Sequence, residues 1–181
     1  MNGDALPAGN RECITGNTKA ERYGVRMKYF IKKGKEDDWE DAMALAYRTF
    51  RKFVAPDYTE EGIKNFVDFI SDQHLFRMFT VDEYHLWVAR DEADEIIGMA
   101  TLRSGNHISL LFVDENHQKL GVGRNLLKEL EDFAKDGGKN FLTVNASPYG
   151  VPFYHRVGFA DTGKETVNGG MLITPMRKDF S

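Results

Sequence analysis

The stretch from His107 to Ala134 constrains this chain more than any other. His107-Ile-Ser-Leu-Leu-Phe-Val113 is an almost unbroken apolar run, which predicts a strand covered on both faces. It leads through Asp114-Glu-Asn-His117 into Gln118-Lys-Leu-Gly-Val-Gly-Arg124, a turn with two glycines. A helix follows, starting near Gly121, with Val122, Leu126, Leu127, Leu130, Phe133 and Ala134 as its apolar stripe and Gly137-Gly138 as its stop. A fold that holds this unit must bring a glycine loop and a helix N-terminus to the end of a buried strand. The first N–H groups of a helix have no internal partner, and the helix dipole is positive there. Glycines let an anion approach the main chain without a Cβ in the way. The segment therefore reads as a phosphate cradle. It is not a Walker loop, because Gly123 is followed by Arg124 and Asn125 rather than by Lys and Ser or Thr. It is not a dinucleotide fingerprint either, because Leu126 stands where the third glycine is needed.

The flanking sequence supplies the rest of an α/β fold with a mixed sheet. Tyr29, Phe30 and Ile31 predict a first strand. Trp39, Ala42, Met43, Ala46, Tyr47, Phe50, Phe53 and Val54 recur at helical spacing, with Asp37 or Asp38 as cap and Pro56 as stop. Thr59 is placed to cap a second helix with Ile63, Phe66, Val67 and Ile70 as its stripe. Residues 73–84 are apolar but aperiodic and predict no element. Leu86 to Arg90 and Glu95 to Arg103 form a hairpin about Asp91-Glu-Ala-Asp94. Phe141 to Val144 reads as a strand and Tyr149 to Val157 as a short helix. Two closing strands meet at Asn168-Gly169, and Pro175 limits the last one to an edge or to pairing that spares its missing N–H. Residues 1–26 lack periodicity and read as a poorly ordered extension, with Met27 an alternative start and 27–181 a single domain.

Composition narrows the functional classes. With 24 Lys and Arg against 28 Asp and Glu, the net charge of −4 argues against a broad basic face for nucleic acid. The single cysteine, Cys13, excludes an intrachain disulfide. No apolar run reaches the roughly 18 residues of a membrane span, and no secretory leader is legible, so the expected location is the cytoplasm. His107, His117, His155, His74 and His85 show no metal-ligand spacing, and no metal is expected.

Gln118-x-x-Gly121-x-Gly123 after an apolar strand resembles motif A of the GNAT N-acetyltransferase superfamily, Gln/Arg-x-x-Gly-x-Gly/Ala. Phe153-Tyr154-His-Arg-Val-Gly158-Phe159 is similar to the ending of the family's motif B. The two stand in the family's order and cover, with their surroundings, Met27 to about Lys178. The resemblance implies a mostly antiparallel sheet of about seven strands flanked by about four helices, with a splayed central strand pair. It implies that Gln118, Lys119, Leu120, Gly121, Val122, Gly123 and Arg124 hold the pyrophosphate of acetyl-CoA through their amides. Main-chain groups of Leu111, Phe112 and Val113 would pair with the pantetheine arm, with Asn145 beside it and Tyr154 near the thioester sulfur as general acid.

The implied activity is direct transfer of an acetyl group to a primary amine, that of a small molecule, in a ternary complex. The partners are then acetyl-CoA and an amine acceptor, without nucleic acid or membrane, and a homodimer is compatible with the sequence. His107 has the intrinsic pKa of a base, although a structurally bonded histidine explains it equally well. Asp114 and Glu115 read as turn chemistry rather than as bases. The alternative is a GNAT-like module that senses acyl-CoA and performs no chemistry.

Overall fold

The computed structural model describes residues 28–180. The extension over 1–26, the alternative start at Met27 and Cys13 lie outside the described residues. The elements run β1 (Tyr29–Lys33), α1 (Trp39–Phe53), α2 (Glu60–Ile70), α3 (Gln73–Thr80), β2 (Tyr84–Asp91), β3 (Ile96–Arg103), β4 (His107–Val113) and α4 (Val122–Asp136). Then come β5 (Phe141–Ala146), α5 (Val151–Arg156), β6 (Ala160–Asp161), β7 (Thr166–Asn168) and β8 (Met171–Asp179). The strands lie in the order β1-β2-β3-β4-β5-β8-β6, with β7 pairing the other end of β8. Every pairing is antiparallel except β4 with β5. The sheet is mixed and mostly antiparallel, as the motifs implied, with one strand and one helix more than expected.

The extra helix is α3, in the stretch that showed no periodicity. At eight residues it completes barely two turns, and Leu75 is its one buried side chain, too little to make a stripe. Its start is set locally, by the Asp72 carboxylate accepting the N–H of His74 at 2.8 Å. In α1 the stripe holds with one exchange: Leu45 is buried, and Tyr47 faces solvent.

Each face of the sheet is covered by one layer. On one face α4 and α5 pack Leu126, Leu127, Leu130 and Tyr154 against Ala100, Leu102, Ile108 and Val144. On the other α1, α2 and α3 pack Trp39, Phe50, Phe66 and Leu75 against Tyr84, Leu86, Met99 and Leu110. Phe50 and Phe66 stack across α1 and α2, and Phe66 meets Phe112 of β4 edge-on at 6.0 Å.

Asp38 departs from its expected role. It stands at the N-terminus of α1 but caps no helical N–H. Its carboxylate, 4% exposed, accepts from Arg90 at 2.6 Å and from the Lys35 N–H at 2.8 Å, with Lys32 at 3.4 Å. Burial pushes its pKa up, but these donors outweigh burial and hold it below the usual carboxylate value. Long-range pairing has captured a residue that local chemistry would have used as a cap.

Pro175 is resolved by topology. It lies inside β8, which has β5 on one side and β6 and β7 on the other. Its carbonyl accepts from the Thr162 N–H at 2.9 Å, on the side where β6 has ended and β7 has not begun. The missing N–H falls in that break, so β8 is an interior strand whose pairing spares the proline.

The β7–β8 turn is clasped to the start of α2. Thr59 caps α2 by accepting the Gly62 N–H at 3.2 Å, and the Thr59 N–H donates to Gly170 at 3.1 Å. Asn65 donates to the Gly169 carbonyl at 2.8 Å. A Cβ on Gly62 would meet the Gly170 carbonyl, and one on Gly170 would meet Thr59 and the Gly62 amide.

Two outcomes follow for stability. Asp38→Ala leaves the Arg90 guanidinium, whose side chain is 13% exposed, with only its Asp94 contacts, and should cost about 2–3 kcal/mol in urea unfolding. Because the folded pKa of Asp38 is depressed, its contribution is present above the unfolded carboxylate pKa and is lost as pH falls through the folded one. Wild-type stability should therefore fall more steeply on acidification than that of Asp38→Ala. Gly62→Ala forces the clasp open and should lower the unfolding midpoint, while the exposed neighbour change Glu61→Ala should shift it by less than about 0.5 kcal/mol.

Candidate active site

The central parallel pair is held together at one end only. β4 and β5 are in register at His107 with Thr143 and at Ile108 with Val144, and pairing stops there. Beyond it, Ser109 to Val113 of β4 and Asn145 and Ala146 of β5 diverge, while each stays paired with its outer neighbour. A wedge-shaped split is left in the middle of the sheet.

The split begins at a bulge. Thr101 faces Leu110 and Leu102 faces Ile108, so Ser109 is the extra residue of β4. Past it, the Asp114 N–H donates to Ile97 at 2.9 Å. Counting back by the two-residue alternation of a strand, Phe112 turns its main-chain groups toward β3, whereas Leu111 and Val113 turn theirs toward the split. The Val113 carbonyl accepts from Gln118 Nε2 at 3.1 Å. Of the three β4 residues assigned to an added strand, Leu111 thus has free-edge geometry, Val113 faces the split with its carbonyl already taken by Gln118, and Phe112 is committed to β3.

The mouth of the split is closed by the turn before α4. Lys119 and Gly121 both adopt the left-handed conformation, φ 63° and 89°, and Gly121 is the N-cap of α4. Gly121 carries no side chain to fold back on the helix amides, so the first N–H groups of α4 stay available to a ligand. Gln118 braces the turn, donating to Val113 and accepting from the Tyr149 hydroxyl at 2.7 Å, while Tyr149 stacks on Phe53 of α1 at 5.0 Å. Asp114 caps its own turn by accepting from Asn116 at 3.1 Å. Burial pushes its pKa up, but hydrogen bonds from His117 and the Asn116 N–H, with Arg48 nearby, hold it below the usual value. Arg48 and Lys52 of α1 pair with Asp114 and Glu115, so the acids next to the cradle are charge-compensated. A diphosphate would meet amides, glycines and exposed Lys119 and Arg124 here, which suits its charge.

Tyr154 sits on α5, wedged edge-on between Phe153 and Phe159, each at 5.2 Å. It is 6% exposed, and burial alone drives its hydroxyl pKa far above the ordinary phenol value. Asn145 is exposed on β5 at the first position beyond the paired end. His107 is half-buried at the paired end, with Nδ1 at 2.8 Å from Thr143 Oγ1. Its pKa is lowered by burial and then by the Arg103 charge.

The other histidines are elsewhere: His117 beside Asp114, His155 on the surface with Asp161, and His85 packed against Phe133. His74 is exposed at the start of α3. Among the described residues no group of three or more His, Cys, Asp or Glu could hold a metal ion, and no helix is long and apolar enough to cross a membrane. Two open surface depressions, one beside Gly34 and Phe79 and one beside His85 and Arg103, lie away from the split.

Sequence reasoning missed the buried polar pair under the bulge, Tyr84 and Thr101, whose hydroxyls lie 2.7 Å apart. One signal was present: Thr101 is the lone polar side chain in Ile96-Ile-Gly-Met-Ala-Thr-Leu102. Tyr149 was also passed over, and only its contact with Gln118 reveals it.

Comparison with known proteins agrees with this architecture. Residues 54–180 match the family described as the acetyltransferase (GNAT) domain. The chain is similar to the peptidyl-lysine N-acetyltransferase YjaB of Escherichia coli, 30% identical over 145 residues that cover 78% of this chain and 89% of that protein. It is also similar to an uncharacterized N-acetyltransferase, YjcF, of Bacillus subtilis, 29% identical over 118 residues, covering 61% and 84%. Among solved structures, a GCN5-related N-acetyltransferase from Rhodopseudomonas palustris superposes with a TM-score of 0.72 at 25% identity, covering 83% of this chain and 94% of that one. The PaiA N-acetyltransferase of Thermoplasma acidophilum, solved with coenzyme A, superposes with a TM-score of 0.70 at 21% identity, covering 85% and 100%.

The geometry of the turn predicts that Gly121→Val, which places a β-branched residue at φ 89°, destabilises the fold by about 1–3 kcal/mol in denaturant titration. Gly123→Ala, whose Cβ would make only ordinary contacts at 3.5 Å with Phe153 and Val113, should cost far less.

Proposed function

The chain belongs to the GNAT acetyltransferase family, and on that premise we propose that it transfers the acetyl group of acetyl-CoA directly to the primary amine of a small molecule. One observation carries the reading. The split between β4 and β5 opens toward the free amides at the start of α4, so an anion seated there extends a chain into the split. In this reading the amides from Gln118 to Arg124 hold the diphosphate. Leu111 and Val113 pair with the pantetheine arm as an added strand would, and Asn145 faces it from β5.

Acetyl transfer needs a neutral amine, an acceptor for the charge that builds on the carbonyl oxygen, and protection of the departing thiolate. A lysine-like amine costs roughly 4.6 kcal/mol to deprotonate at pH 7. His107, held below its ordinary pKa, is neutral at that pH and able to accept a proton. Four residues along β4 separate it from Leu111, roughly 13 Å at strand rise, so it would act through water. The Leu111 N–H is the oxyanion donor, a role worth about 3 kcal/mol in known cases. Tyr154 stays protonated because burial opposes its ionisation, and full proton transfer to a thiolate of pKa about 8.5 is uphill by more than about 2 kcal/mol. It therefore serves as a hydrogen-bond donor to the sulfur.

The acceptor enters from the face opposite α4. There α2 reaches from Phe112 of β4 to the β7–β8 turn and roofs the split, which supports a slender, unbranched amine. A second reading, a lysine side chain of a protein, is favoured by the likeness to YjaB, a relative named for peptidyl-lysine.

Thiol release measured with polyamines, aminoglycosides, free amino acids and lysine peptides, beside acetyl-CoA calorimetry, tests the proposal. Turnover with small amines is expected; turnover confined to lysine peptides would replace the acceptor class. Acetyl-CoA uptake with no turnover on any amine would point to the sensor module. Tyr154→Phe should lower kcat about 100-fold while KM for acetyl-CoA changes less than about threefold. If His107 is the base, its depressed pKa puts the acid limb of the kcat profile below pH 6.5, and His107→Gln should abolish that limb. An unchanged profile in His107→Gln removes it from the mechanism.

A further inference from the structure

Tyr84 and Thr101 are fully buried polar side chains that take no part in the steps above. They lie beneath the bulge of β4, on the face covered by α1, α2 and α3. Thr101 Oγ1 accepts the Leu110 N–H at 3.0 Å, and its other close partner is the Tyr84 hydroxyl at 2.7 Å.

A bulge interrupts the ladder and leaves the strand a choice of registers. Here the alternatives differ greatly. Leu110 and Phe112 face α1 and α2, whereas Leu111 and Val113 face α4, so a slip of one residue exchanges the two layers. It would also turn the Leu111 amide from the split toward β3. The hydroxyl of Thr101 gives the Leu110 N–H a fixed acceptor at this point, and Tyr84 fixes the hydroxyl. A valine at 101 has the same shape and no acceptor.

We infer that Thr101 is a positioning residue for acetyl transfer: by holding the Leu110 N–H across the bulge, with Tyr84 behind it, it fixes the Leu111 N–H on the open edge of β4. The inference rests on the reading of Leu111 as oxyanion donor. It assigns a role in the transition state to a side chain on β3 that touches neither substrate. Because the oxyanion exists only during the reaction, while most of the acetyl-CoA contacts lie at the start of α4 and at Val113, loss of the pin should lower kcat far more than acetyl-CoA affinity.

The test compares wild type, Thr101→Val, Thr101→Ser and Tyr84→Phe for kcat, acetyl-CoA affinity by calorimetry, and exchange of the Leu110 amide by NMR. Thr101→Val should lower kcat 10- to 100-fold, change the acetyl-CoA Kd less than threefold and speed exchange at Leu110 at least tenfold. Thr101→Ser, which keeps the acceptor, should return kcat to within threefold of wild type. Tyr84→Phe should lower kcat three- to tenfold, and it carries the test if Thr101→Val does not fold. An active wild type whose Thr101→Val keeps its kcat, or whose Thr101→Ser loses as much as Thr101→Val, overturns the positioning role alone. A wild type that binds acetyl-CoA yet releases no thiol with any amine overturns the functional reading and the inference together.

Discussion

The early end of pairing between β4 and β5 is the constraint on which the site depends. A parallel pair in the middle of a sheet would ordinarily satisfy its main-chain groups along its whole length. Here two registered pairs are made and the strands then part, leaving main-chain groups of Leu111 and the Val113 N–H on an open, half-buried edge. Main-chain groups left off a ladder need other partners, and such an edge suits a strand-like ligand. The sheet stays intact because β4 remains tied to β3 and β5 to β8.

Rigid neighbours surround the opening. The Asp114 turn, the Gln118 brace and the αL residues Lys119 and Gly121 determine where the start of α4 points. On the far face, α2 is joined to the β7–β8 turn by a glycine-to-glycine approach that tolerates no side chain. One face thus presents amides and the other a roofed entrance. That asymmetry suits an anionic donor arriving from one side and an amine from the other.

The chemistry read for the site asks little of its titratable groups. Tyr154 is kept neutral by burial, and His107 is kept neutral by burial and by Arg103. Both conditions favour a site that handles a neutral amine and a developing oxyanion by geometry and hydrogen bonding. The charged residues nearby, Arg48 with Asp114 and Lys52 with Glu115, are paired off and stabilise the loop instead.

Much of this was written in local sequence. The His107–Val113 run, the glycines of the turn, the α4 stripe and the Phe153-Tyr154 motif each act through neighbours within a few residues. Helix spacing, glycine dihedrals and capping therefore made the fold class and the cradle legible, and with them the family. What stayed hidden depends on partners far along the chain. Helix α3 has a single buried residue, Asp38 is drawn from its helix by Arg90 52 residues away, and Pro175 sits opposite a break between two other strands. The bulge at Ser109, the direction of the Leu111 amide and the Tyr84–Thr101 pair exist only once β2, β3 and β4 lie side by side. Sequence alone determined that a glycine turn would open a helix at the end of a buried strand. Tertiary structure decided which amides face the opening, because strand register is a relation between segments that no single segment encodes.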